Sequence, residues 1–166
     1  MAFNNLIHSC SIDEKIEHIK DKLIKECIEQ RNVKKGYVNF KVKSKYIDNL
    51  YNIFIDEAKK NLNKFTLKNL DFKLWCYISD NTFTIGRFHN HLKTSTINSV
   101  IYLITQDKGI DFKLNKETIH LKPKEGDMLI FPSFLDHYPH PSKTEKRITL
   151  NLELLCNETG EEIFNV

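Results

Sequence analysis

The stretch "GRFHNHLKTS", residues 86–95, sets His89 and His91 two positions apart at what reads as the end of a β-strand. Two imidazoles at that spacing are either half of a metal site or a pair of surface histidines, and a third ligand must decide. The best place for one is "GDMLIFPSFLDHYPHPSKTEKRITL", which begins at Gly126. There an apolar strand ends at a proline, and His137 follows among Phe134, Leu135 and Tyr138. His140, between Pro139 and Pro141, reads as an exposed loop histidine that could compete for the same role. No carboxylate lies between Asn81 and Gln106; Asp80 and Asp136 are the nearest. Ten positions beyond His137 stands Arg147, opening "RITLNLEL", where alternation turns Arg147, Thr149 and Asn151 to one face. The chain has only three arginines, Arg31, Arg87 and Arg147. An inward-facing guanidinium calls for a carboxylate, supplied by the chain or by a ligand, because burial cannot neutralise it.

These residues need a scaffold. At 166 residues the chain suits one domain, with enough length to bury a core without disulfides. A composition of 40% hydrophobic and 28% charged residues excludes wholesale disorder. The net charge of +3 rests on lysines spread along the chain, which describes solvated faces rather than a nucleic-acid footprint. Cys10, Cys27, Cys76 and Cys156 are far apart and read as reduced core fillers. The N-terminus "MAFNNLIHSC" lacks the pattern of a secretory signal, and nothing approaches a membrane span, so the expectation is a soluble, cytoplasmic protein.

The front half reads as helical. Ser11 and Glu14 suggest a capping box, and Ile12, Ile16, Ile19, Leu23, Cys27 and Ile28 follow as one apolar stripe. A short strand "YVNFKV" precedes a second amphipathic helix over residues 45–65. From Leu70 the period changes to two. The segments "LDFKLWCYIS", "TFTIGRFH", "INSVIYLIT", "IDFKLN", "TIHLK", "DMLIFP" and "RITLNLELLC" predict short strands, with a hairpin at "KPKEGD". The whole predicts one α+β domain over 1–166, with a helical support layer over 1–69 and a strand-built core over 70–156. His18 and His120 are expected on solvent faces.

"HNH…SVIYL…GDMLIFPSFLDHYPH…RIT" resembles the core of the iron(II)- and 2-oxoglutarate-dependent dioxygenases, and within them the small prolyl-hydroxylase-like proteins of bacteria and phages. The resemblance covers about Trp75 to Leu154. It implies a double-stranded β-helix, or jelly roll, with N-terminal supporting helices. It implies iron(II) held by His89, His91 and His137, and 2-oxoglutarate anchored by Arg147 and Thr149, with Tyr102 and Tyr77 beside them. The family's middle ligand is usually acidic, and His91 departs from that pattern. The implied activity is hydroxylation of a protein side chain, favoured over a nucleic-acid base or small metabolite, with ascorbate as a stimulant and succinate and CO2 as products. "LKTSTIN" and the segment before Lys122 are candidates for the substrate rim.

Two other readings share the jelly roll. A cupin-type metal enzyme for small molecules would have no need of Arg147, and Thr96 and Pro141 stand where its further ligands are usually found. A binding module that has lost its metal is the third reading, kept open by His91.

Overall fold

A 3-10 turn, Phe3–Leu6, leads into strand β1 (His8–Ser11) and helix α1 (Asp13–Gln30). Strand β2 (Val38–Lys41) separates α1 from α2 (Ile47–Asn61). Then come β3 (Leu74–Ser79), β4 (Ile97–Ile104), β5 (Ile110–Leu114), β6 (Glu117–Leu121), β7 (Asp127–Pro132), β8 (Asp136–Pro139) and β9 (Arg147–Leu154). A short helix α3 (Gly160–Phe164) follows. The computed structural model describes residues 3–31, 38–79, 87–105, 108–140 and 146–166.

Among the described residues, six strands form a major sheet in the order β1-β7-β4-β9-β3-β2, and three form a minor sheet, β6-β5-β8. The pairings are antiparallel. This is the double-stranded β-helix with N-terminal helices that the sequence suggests. The front of the chain supplies more than support, because β1 and β2 form both edges of the major sheet.

Register explains why this sheet has two unlike faces. Residues directly opposite one another across a ladder point the same way. Phe40, Cys76, Leu150, Ile101, Met128 and Cys10 are linked partner to partner across the six strands. All but Cys10 are buried, and they form an apolar row. Cys76 meets Cys27 of α1, so this face lies under the helices, and these two cysteines are the core fillers expected. Ile16, Ile19 and Leu23 of α1 and Leu50, Phe54 and Ala58 of α2 complete the layer. Each large aliphatic or aromatic side chain buried here contributes about 1.5–3 kcal/mol. One residue along, the row Asn39, Tyr77, Thr149 and Tyr102 faces the other way, and it is polar. An inward sheet face that carries polar side chains is where a candidate site is sought.

Several local readings change. Ser11 ends β1 opposite Asp127, and Ile12 is the N-cap of α1 with no side-chain cap bond. Pairing claims the backbone of Ser11 for the sheet, while Asp13 and Glu14 still complement the helix dipole. A capping box does form, between Thr159 and Glu162 at the start of α3. "KPKEGD" carries the chain from the minor sheet to the major one and is not a hairpin. Gly126 there has φ 82°, and a Cβ at that position would lie 2.6 Å from the Cβ of Asp13. The second helix stops at Asn61, where Leu62 turns extended and the Asn63 amide donates to Ile163 O. Most of "TFTIGRFH" falls on residues 80–86, outside the described residues. No described helix is long and apolar enough to cross a membrane.

Candidate metal centre

His89 and His91 reach the site from an extended segment beside β8. His89 and His137 form an isolated antiparallel bridge, with His89 N donating to His137 O at 3.1 Å and the reverse bond at 2.9 Å. The His91 amide donates to Ser133 O at 2.9 Å, and the His91 carbonyl accepts from the amides of Thr94 and Ser95. Beneath this turn, Ser95 Oγ donates to Asn98 Oδ1 at 2.6 Å and lies 2.8 Å from Ser133 Oγ, a buried polar brace. The loop "LKTSTIN" thus divides: Leu92, Lys93 and Thr94 are exposed, while Ser95, Thr96 and Asn98 are buried.

The three rings converge. Their centroids lie 4.2 Å apart for His89 and His137, 5.2 Å for His91 and His137, and 5.5 Å for His89 and His91. One ligand nitrogen from each lies within 4.8 Å of the other two. The second nitrogen of each ring is already engaged. His89 Nδ1 is 3.2 Å from Arg87 O, and His137 Nδ1 is 3.2 Å from Leu135 O. A carbonyl can only accept, so both Nδ1 atoms carry the proton and leave Nε2 as a bare lone pair. His91 Nδ1 lies 2.8 Å from Glu153 Oε1, and that carboxylate favours the same tautomer. This is the arrangement that orients imidazoles toward a metal.

His137 is buried, with Phe131 at 5.1 Å and Phe112 at 6.0 Å between centroids. Burial, and then the neighbouring His89 and His91, lower its pKa to about 3. Across the physiological range it is therefore neutral, the form that ligates. Asp136, one of the two nearest carboxylates in the sequence, is occupied by Asn90, whose Nδ2 donates to it at 2.7 Å. Asp80 lies outside the described residues. Glu153 is the acidic partner instead. His140 stays out of the triad: its carbonyl accepts from Arg147, and its ring stands near Asp111.

The triad opens on a cavity of about 40 Å³, lined by His89, His91 and His137 and by Tyr77, Thr149 and Asn151 among others. Arg147 is not on its wall. It lies 4.8 Å from the ring centroid of Tyr77, which does line the cavity. Arg147 is 3% exposed, and its Nη1 donates to His140 O at 2.6 Å. Nε and Nη2 are buried with no hydrogen-bond partner among the described residues. Two orphaned nitrogens on one side of a planar guanidinium match the two oxygens of a carboxylate, so the donor set fits a dicarboxylic cosubstrate. Tyr102, opposite Thr149 in register, is buried; this raises its pKa, and the charge of Arg147 opposes the rise. A larger groove, about 360 Å³, lies between Phe3, Leu114 and Val166, and no histidine lines it.

No family model matches the chain, and no curated protein matches it in sequence. Solved structures do match. A prolyl-4-hydroxylase from Pseudomonas putida superposes with a TM-score of 0.67 at 13% identity, over 92% of this chain and 94% of that one. A prolyl hydroxylase from Trichoplax adhaerens, in complex with a hypoxia inducible factor oxygen degradation domain peptide fragment, gives 0.64 at 11% identity, over 91% and 84%. An oxidoreductase of the 2OG-Fe(II) oxygenase family from Burkholderia pseudomallei gives 0.65 at 8% identity, over 90% and 84%. At these identities the likeness is one of fold, and the fold is the double-stranded β-helix of the prolyl hydroxylases and 2-oxoglutarate oxygenases.

Proposed function

We propose that the protein is an iron(II)- and 2-oxoglutarate-dependent oxygenase that hydroxylates a protein side chain. The observation that carries this is the pairing of two unlike features in one fold. Three imidazoles bring one ligand nitrogen each to within 4.8 Å of the others, and a buried arginine nearby has two nitrogens without a hydrogen-bond partner among the described residues. A cupin-type pocket gives no reason for the second feature.

His89, His91 and His137 would hold iron(II), and Arg147 with Thr149 would hold the far carboxylate of 2-oxoglutarate, with Tyr77 and Tyr102 beside it. The bound metal would let dioxygen place one atom in a substrate C–H bond and the other in succinate, with CO2 released. Everything else falls to the chain. Arg147 fixes the cosubstrate in orientation, since its planar fork accepts a carboxylate in one plane. Tyr77 holds that fork flat through its ring face. Phe112 and Phe131 keep water from His137. Glu153 supplies the negative charge that an acidic ligand would otherwise bring, from the far side of the His91 ring.

Support for a protein substrate comes from exposed apolar residues next to the histidines in the chain. Phe88 and Leu92 flank His89 and His91 in sequence and are 39% and 64% exposed. The Trichoplax adhaerens protein of similar fold carries a peptide fragment. A proline-containing peptide is the first substrate to try.

Anaerobic titration with iron(II) tests the metal site. The parent should bind an equivalent of iron(II) that is lost in His89→Ala and in His137→Ala, since each removes a bond and the geometry together. Unchanged binding in both variants would place the site elsewhere.

A further inference from the structure

Asp111, His120 and His140 form a second cluster, on the outer face of the minor sheet. Asp111 and His120 are direct partners across β5 and β6. Ile110 and Phe112, on either side of Asp111, are buried, so alternation turns Asp111 outward. His140 follows β8, two residues beyond Tyr138, the partner of Asp111. Its amide donates to Gly109 O at 3.1 Å, which brings its ring back over the same face.

The two oxygens of Asp111 are divided between the rings. His120 Nδ1 is 2.6 Å from Oδ1 and hydrogen-bonded to it. His140 Nε2 is 2.8 Å from Oδ2, so the second oxygen of the same carboxylate faces the second ring. A ligand nitrogen from each histidine and a carboxylate oxygen lie within 4.8 Å of one another. His120 remains 42% exposed, which leaves an approach from solvent.

We propose that Asp111, His120 and His140 bind a second divalent metal ion of the zinc class, distinct from the triad inside the barrel. Two imidazoles and one carboxylate suit a borderline transition metal and leave a fourth position for water; magnesium and calcium prefer all-oxygen sites. Each histidine would give up its contact with the carboxylate and present that same nitrogen to the ion. The site joins all three strands of the minor sheet, from β6 through β5 to the end of β8. It also adjoins the cosubstrate anchor, because the carbonyl of His140 accepts from Arg147 Nη1. An ion here would brace the segment that carries both His137 and that carbonyl.

Titration of metal-free protein with cobalt(II) and zinc(II), read by cobalt absorption and by competition with a chromophoric chelator, tests this. The parent should bind two equivalents. Asp111→Asn and His120→Ala should each lose one equivalent and keep the other, and His18→Ala should keep both. His137→Ala should lose the other equivalent and retain the one that depends on His120. His120 is half-exposed, so its replacement leaves the fold intact, and an unchanged circular dichroism spectrum would confirm that. A full second equivalent in both Asp111→Asn and His120→Ala would overturn the proposal. So would a parent that binds a single equivalent, lost only in His137→Ala, and that outcome would leave the interior centre standing.

Discussion

His91 Nδ1 and Glu153 Oε1 lie 2.8 Å apart, which joins the turn after the first histidine to the end of the last strand of the major sheet. The contact has backbone support. The Tyr51 hydroxyl accepts from Glu153 N at 3.2 Å and donates to Lys73 O at 2.7 Å, so α2 fixes the strand where the carboxylate begins. A third histidine in place of an acidic ligand would leave the centre one negative charge short, and Glu153 stands where it can restore that charge through the imidazole.

Glu153→Ala should therefore weaken iron(II) affinity by about ten- to a hundredfold, the usual effect of removing an outer partner of a ligating histidine. Glu153→Gln keeps an acceptor but removes the charge, so it should fall between parent and Ala. Anaerobic titration of the three proteins measures the order. Equal affinities would mean that the carboxylate merely sits beside His91.

Arg147 gives a prediction about the cosubstrate. With manganese(II) present, 2-oxoglutarate at one hundred times its Kd should stabilise the fold by about 2.7 kcal/mol through mass action. For a chain of this size, at about 2–4 °C per kcal/mol, Tm should rise by roughly 5–11 °C. Arg147→Ala should abolish the rise and leave metal affinity in place. Arg147→Lys should restore little, because an ammonium cannot make the two parallel bonds that Nε and Nη2 offer. Thermal melts with and without 2-oxoglutarate check both variants.

What could be read from the sequence followed the strength of each local signal. The stripes of α1 and α2 are long and periodic, and both helices stand where they predict, the second ending early. The convergence of His89, His91 and His137 and the burial of Arg147 were legible, because closely spaced histidines beside strand ends and a rare arginine opening an alternating strand stand out in the sequence. β1, with the sequence "HSCS", and β8, with "DHYP", gave no apolar alternation; their pairing is set by β7 and β5. The same gap hid the outer cluster, since His120 and His140 meet only through the register of β5. Glu153 was within reach. Alternation that turns Arg147, Thr149 and Asn151 to one face carries on to Glu153, but a charged residue near a strand end reads as solvent-facing until His91 is placed beside it.

The most direct test of the central claim is release of succinate from 2-oxoglutarate, followed by mass spectrometry with iron(II), oxygen and ascorbate present. The proposed oxygenase should release succinate slowly without substrate, and faster with a proline-containing peptide pool, if Arg147 and Thr149 hold the cosubstrate as proposed. That release should be lost in His137→Ala, and Tyr102→Phe should have a higher requirement for 2-oxoglutarate. Absence of succinate from protein that binds both iron(II) and 2-oxoglutarate, across peptide, nucleic-acid and metabolite pools, would contradict the oxygenase assignment and make the fold a binding module.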